Sequence, residues 1–220
     1  MRELWSQVDQ FIDGALIDSD PAAPARAAAE NAGLPPIAVT AGMGKFLSLI
    51  AGSIGARSVL EIGTLAGYST IWFAEGIGEQ GRVVTLEADP RHAELAWSNL
   101  QAAGVADRVR LEVGPALDAL PKLEAESIGP FDLVFIDADR RNNPEYLGWA
   151  LRLSRVGTVI IVDNVVRAGA ILDEETEDPD IQGVRGSYEL LAAHPRIEAT
   201  ALQTVSGKNY DGFIYAVVRR

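Results

Sequence analysis

A chain of 220 residues, 48% of them hydrophobic, has the length and apolar content of one folded domain and is not disordered in bulk. The absence of Cys, with His92 and His194 as the only imidazoles, excludes disulfides, a thiol nucleophile, zinc–thiolate sites and the paired-histidine protease motif. Nineteen Lys and Arg against 31 Asp and Glu give a net charge of −12, which repels nucleic acid, and no apolar run reaches the ~18 residues of a membrane span, so the expected protein is cytoplasmic and acts on a small molecule.

Residues 1–56 read as a helical preface. Leu4, Val8, Phe11, Ile12 and Leu16 fall on one helix face, and the start, Met1-Arg2-Glu3-Leu4-Trp5, is amphipathic rather than signal-like. Residues 22–32 are alanine-rich, Pro35-Pro36 breaks the chain, and Phe46, Leu47, Leu49 and Ile50 mark a further helix. From residue 57 strands and helices alternate. Expected strands are Ser58–Ile62, Arg82–Leu86, Val109–Val113, Phe131–Ile136 and Thr158–Val162, with helices near 68–77, 91–103, 115–123 and 144–153. Such alternation predicts βαβ units and a mostly parallel, doubly wound Rossmann-like sheet. Residues 166–182 are acidic and loop-like, a helix follows near 183–193, and strands at 197–204 and 211–218 are expected to pair antiparallel, with Asp211-Gly212 after Lys208-Asn209 as turn chemistry. The pattern amounts to seven strands in a single domain over 1–220, its α/β core at 57–220.

The first strand meets its helix in Leu60-Glu61-Ile62-Gly63-Thr64-Leu65-Ala66-Gly67-Tyr68-Ser69-Thr70. Gly63 and Gly67 allow backbone to approach a ligand, and the helix N-terminus offers N–H groups. The G-x-x-x-G spacing differs from the dinucleotide fingerprint, and Glu61 would repel a pyrophosphate but attract an ammonium. Glu87, twenty residues beyond Gly67, ends the second strand where an acid can accept both ribose hydroxyls. A plain strand–helix turn is the alternative. The ligand favoured is an adenosine with a cationic tail, and S-adenosylmethionine (SAM) fits.

Asp137 follows the fourth strand, and Asp163-Asn164 the fifth. Neighbouring parallel strands lie ~4.8 Å apart, so two carboxylates and an amide oxygen can converge. Three oxygen ligands with open positions suit Mg²⁺; solvated strand-end acids are the alternative. Other motifs fail on inspection. Gly42-Met43-Gly44-Lys45 lacks the hydroxyl residue of a phosphate loop, because Phe46 stands there. Gly67-Tyr68-Ser69 lacks the second Gly of a nucleophile elbow. Asn143-Pro144-Glu145-Tyr146 reads as a helix start, capped by Asn142 or Asn143, rather than as a base-methylation motif. Tyr146 and Trp149 read as a packed helix face before a clamp for a planar ring.

Together these residues carry a family resemblance. From about Pro36 onward the chain resembles the class I, metal-dependent, SAM-dependent O-methyltransferases of the catechol and caffeoyl-CoA type, through Val59–Thr70, Thr85-Leu86-Glu87, Gly114-Pro115-Ala116, Phe135–Asp139, Val162–Val166 and Lys208–Phe213. The resemblance implies that Val39 contacts the methionine part of SAM through its backbone. It implies that Glu61, Gly63, Thr64 and Ser69 cradle the amino and carboxylate groups, that Glu87 binds ribose and that Ala116 lies beside adenine. Asp137, Asp163 and Asn164 match the metal triad, with Asp137 also facing the cofactor ammonium. Where the family has a Lys base, this chain has Arg140. A guanidinium stays protonated, so Arg140 can stabilise a phenolate but cannot remove its proton. The implied activity is Mg²⁺-dependent methylation of a hydroxyl on a catechol-like aromatic, by a homodimer. Three alternatives stay open: another acceptor on the same scaffold, a cofactor-binding protein whose turnover Arg140 has removed, and a nucleic-acid methyltransferase, which the charge disfavours.

Overall fold

Short runs of Val, Leu and Ile become strands where both sheet faces are covered, since they have no polar alternation to offer water. The computed structural model describes residues 1–219. Its strands are β1 (Ser58–Ile62), β2 (Arg82–Glu87), β3 (Val109–Val113), β4 (Phe131–Ile136), β5 (Ser154–Asp163), β6 (Ile197–Val205) and β7 (Tyr210–Val218). They form a seven-stranded sheet in the order β3-β2-β1-β4-β5-β7-β6. The α-helices among the described residues are α1 (Arg2–Leu16), α2 (Ala23–Asn31), α3 (Ala41–Ser53), α4 (Tyr68–Ile77), α5 (Pro90–Ala102), α6 (Ala116–Ala125), α7 (Asn143–Arg152) and α8 (Pro179–Ala193). The mixed, Rossmann-like architecture with an antiparallel last strand is thus the one expected. Two compact units divide the chain: Gln10–Lys122, and Met1–Asp9 with the chain from Leu123 onward.

In the first unit β1, β2 and β3 pair in parallel, with Val59 opposite Val83 and Val83 opposite Val109. Every residue of α4 from Tyr68 to Ala74 is buried. Its contact with α3 depends on two close approaches. A Cβ at Gly44 would lie 2.4 Å from the Trp72 ring, and one at Gly76 would lie 2.5 Å from the Ser48 carbonyl oxygen. Gly44 therefore serves packing, which is why the segment only imitates a phosphate loop. Thr40 caps α3 by accepting the Met43 N–H at 3.2 Å.

In the second unit β4 and β5 run parallel, while β7 runs antiparallel to both β5 and β6. β5 starts four residues earlier than its apolar run suggests. Arg155, Val156 and Gly157 are exposed yet belong to the strand, and Ser154 pairs with Phe131. α8 also starts early, at Pro179. The Asp178 side chain accepts the Asp180 N–H at 2.8 Å, and Pro179 fits the first turn, where its missing N–H costs nothing. Within the expected loop two short turns meet at a kink at Ala168-Gly169 over Arg167–Leu172. The β6–β7 turn falls at 206–209, closed by Ser206 N–H to the Asn209 carbonyl at 2.9 Å. Asp211 and Gly212 lie inside β7 rather than in the turn.

Candidate active site

Each unit carries part of the expected constellation. In the first, Gly63 (φ 101°), Leu65 (φ 52°) and Gly67 (φ 83°) bend the chain from β1 into α4. Glycine tolerates that left-handed backbone without a Cβ clash, and Glu87 holds the residues between. Its Oε2 accepts the N–H groups of Leu65 (2.7 Å) and Thr64 (3.2 Å), and its Oε1 accepts that of Asp89 (2.9 Å). His92 Nδ1 lies 3.6 Å from the same Oε1. Glu61 is fully buried, and hydroxyl groups surround its carboxylate: Ser69 Oγ and Thr70 Oγ1 donate at 2.5 Å, Thr85 Oγ1 at 2.7 Å. Such donors compensate a buried charge. Glu61 therefore ties the end of β1 to β2 and to the first turn of α4. That turn has no side-chain cap, which suits it to a ligand's acceptor atoms. Ala116 opens α6, just beyond Gly114, whose N–H reaches the Glu87 carbonyl at 2.8 Å.

Val39 is fixed by residues that sequence reasoning missed. Arg26 Nη2 donates to the Val39 carbonyl at 2.9 Å, while its guanidinium stacks 4.1 Å from the centre of the Tyr68 ring. The Tyr68 hydroxyl donates to Asp20 Oδ2 at 2.6 Å. The signal was faint: one Arg in an alanine-rich helix.

In the second unit Asp137 directly follows β4, Asp163 ends β5, and Asn164 adopts φ 59°, a left-handed conformation that Asn tolerates better than most residues. Desolvation raises the Asp137 carboxyl pKa, opposed by the positive charges of Arg140 and Lys208 and reinforced by Asp211. Asp163 is pushed up to about 8, by desolvation first and by the Asp137 charge second. Arg140 donates through Nη2 to Asn164 Oδ1. The structure thus gathers Asp137, Arg140, Asp163 and Asn164, and adds Asp211 and Lys208, to which the sequence had attached no role. Nearby, Tyr146 is buried and its hydroxyl donates to Asp139 Oδ1 at 2.5 Å, while the Arg152 guanidinium sits 4.3 Å from the centre of the Trp149 ring. Tyr146 belongs to the packed face of α7, while Trp149 is half-buried beneath Arg152.

Residues 23–210 match the family model described as O-methyltransferase. The chain belongs to the class I, SAM-dependent O-methyltransferases. A catechol O-methyltransferase of Mycobacterium tuberculosis is 59% identical over 213 residues, covering 96% of this chain and 95% of that one. A catechol O-methyltransferase of Niastella koreensis is 45% identical over 219 residues, 99% of each chain. The solved O-methyltransferase of Bacillus cereus, in complex with SAH, superposes with a TM-score of 0.98 at 53% identity over 100% of both chains.

In this O-methyltransferase the donor atoms suit the two groups the family implies. The glycine turn, the uncapped first turn of α4 and the Glu87 carboxylate offer backbone N–H donors and an acid. Three accepted hydrogen bonds do not exhaust the carboxylate's ~four acceptor sites. Among the described residues no three His, Cys, Asp or Glu side chains cluster as metal ligands. Asp137, Asp163 and Asn164 offer two carboxylates and one amide oxygen, donors of the kind that suit Mg²⁺. Two desolvated carboxyls that repel each other are the electrostatic counterpart of a divalent cation. No helix among the described residues is long and apolar enough to cross a membrane.

Proposed function

We propose that this O-methyltransferase moves the methyl group of SAM to one hydroxyl of a vicinal diphenol, with Mg²⁺ held by Asp137, Asp163 and Asn164. The observation that carries the reading is the pair of desolvated, mutually repelling carboxylates of Asp137 and Asp163, beside Arg140, whose guanidinium donates to the Asn164 amide oxygen. The catechol O-methyltransferase relatives support the same acceptor class. In the first unit Gly63, Thr64, Ser69 and the Val39 backbone would seat the methionine part, Glu87 the ribose and Ala116 the adenine, with Glu61 bracing the turn through its hydroxyl partners.

The reaction forms one O–C bond and breaks one S–C bond, leaving S-adenosylhomocysteine, and the hydroxyl proton departs to solvent. The cation, when bound, supplies positive charge that favours an ionised phenol. Arg140 remains protonated throughout, so its part is to stabilise negative charge on the acceptor oxygen. Positioning of acceptor and donor supplies the rest of the acceleration. No covalent enzyme intermediate is required, in keeping with a chain that has no Cys. We also read the two units as one catalytic domain, the apolar face of α1 as a homodimer surface, and the cytoplasm as the place of work.

A methylation assay on a panel of catechols, with Mg²⁺ and with chelator, tests the reading. The wild type is expected to turn over only with the cation, and Asp163→Ala to abolish turnover under both conditions while still binding S-adenosylhomocysteine. Undiminished activity in chelator would overturn the metal assignment, and methylation of monophenols at the same rate as catechols would overturn the acceptor class.

A further inference from the structure

The segment after β5 adopts conformations that L-residues avoid. Asn164 (φ 59°), Arg167 (φ 54°) and Ala168 (φ 55°) all lie in the left-handed region, and Gly169 follows at φ 90°. Such backbone persists only where its surroundings over-determine it. One side chain supplies most of the restraint. Asp211, 5% exposed, turns Oδ1 toward three backbone N–H groups: Val166 at 2.9 Å, Arg167 at 2.9 Å and its own neighbour Gly212 at 3.0 Å. The contact is doubled by Val165 N–H to the Gly212 carbonyl at 3.0 Å, and Tyr188 donates its hydroxyl to the Val165 carbonyl at 3.1 Å. Gly212 leaves no slack, because a Cβ there would lie 2.3 Å from the Leu202 carbonyl oxygen and 2.7 Å from Val166 Cγ2.

The hairpin itself has no need of this carboxylate. β6 and β7 are joined by backbone pairing from Ile197 opposite Val218 to Val205 opposite Tyr210, and the turn closes at 206–209. Burying a carboxylate is costly unless its hydrogen bonds do something an apolar residue cannot. Here they reach across 44 and 45 residues of sequence to the loop that presents Asn164.

We propose that Asp211 is a positioning residue of the methyltransferase: its Oδ1 clamps the Val165–Ala168 backbone and thereby fixes the direction in which Asp163 and Asn164 present their oxygens to a divalent cation. This rests on the metal reading above. It also identifies the acid of the Asp211-Gly212 pair as a partner of the segment that follows β5 rather than a turn former. Residues that orient metal ligands commonly change cation affinity roughly tenfold to a hundredfold when replaced.

The test compares Asp211→Ala with Asp211→Asn, which keeps an acceptor oxygen but not the charge. Mn²⁺ affinity is measured by calorimetry, S-adenosylhomocysteine affinity serves as a check on the other unit, and amide hydrogen exchange is followed at 165–168. Asp211→Ala is expected to weaken Mn²⁺ about tenfold or more and to expose the Val166 and Arg167 amides, with S-adenosylhomocysteine binding unchanged. Asp211→Asn should stay within about threefold of wild type and keep the amides protected. Wild-type Mn²⁺ affinity in the Ala variant overturns the proposal, and so does an Asn variant as weak as Ala, which would mean that charge rather than the clamp matters. If the Ala variant does not fold, the Asn variant and wild-type exchange decide: fast-exchanging Val166 and Arg167 amides in the wild type overturn the clamp. A wild type that binds no Mn²⁺ refutes the metal reading instead, and the exchange data still judge the clamp.

Discussion

Arg140 is where the chemistry of one side chain decides most. A guanidinium does not give up its proton near neutral pH, whereas a desolvated lysine ammonium can. If proton removal limits the rate, Arg140→Lys should raise kcat on the order of tenfold, below the usual range for general-base catalysis because the proposed cation would already acidify a phenolic acceptor. The gain should grow with pH between about 7 and 10, with SAM affinity unchanged. A flat rate–pH profile identical to wild type would show that proton removal is not limiting. Single residues were unequally legible. Asp137, Asp163 and Asn164 could be read because each lies at the end of a recognisable apolar strand. Asp211 could not, because its partners stand 44 and 45 residues earlier, and a lone Asp-Gly pair signals a turn more readily than a clamp.

At the scale of elements, α1 is the least settled part of the chain. None of its residues is buried, and Phe11 and Leu16 are 77% and 71% exposed although they lie on its apolar face. An amphipathic helix gains its stability from packing that face, so the dimer reading predicts that a second copy covers it. Sedimentation should show a dimer for the wild type and a monomer for Phe11→Glu; a wild-type monomer at micromolar concentration would refute the reading. Tertiary anchoring of the same helix is polar: Asp9 Oδ2 accepts the Gly207 N–H at 2.7 Å. The cores of the elements were legible, and their ends were not, for reasons particular to each. β5 begins with exposed residues that no apolar run reveals, and α8 begins inside an acidic stretch where Asp178 acts as a cap. The Ser58–Ile62 and Val109–Val113 strands were read to the residue because turn chemistry bounds them on both sides.

For the molecule as a whole, the acids at the ends of β4 and β5 link pH to stability. Asp163 ionises near 3.8 in an unfolded chain and at about 8 in the folded one, and Asp137 is raised as well. Between those limits the folded state retains protons that the unfolded state has lost. The contribution of these groups to stability is therefore fully present below about pH 4 and is lost as pH rises through about 8. Under the metal assignment proposed above, a divalent cation competes with those protons and restores the loss. Calorimetry should accordingly find that Mg²⁺ raises the melting temperature more at pH 8.5 than at pH 6; equal increments at both would contradict the assignment. The seven-stranded architecture followed from the alternation of apolar runs, whereas the division into two compact units left no mark on the composition.

The hydroxyl shell of Glu61 has a wider consequence. Ser69, Thr70 and Thr85, which donate to that carboxylate, all belong to Gln10–Lys122, as do Gly63, Thr64, Glu87 and Ala116, the residues proposed above to seat the donor. On that proposal, substitutions within residues 166–182, which belong to the other unit, should change the acceptor while leaving S-adenosylhomocysteine affinity unchanged. Such a socket lets one methyl source serve many different oxygen nucleophiles.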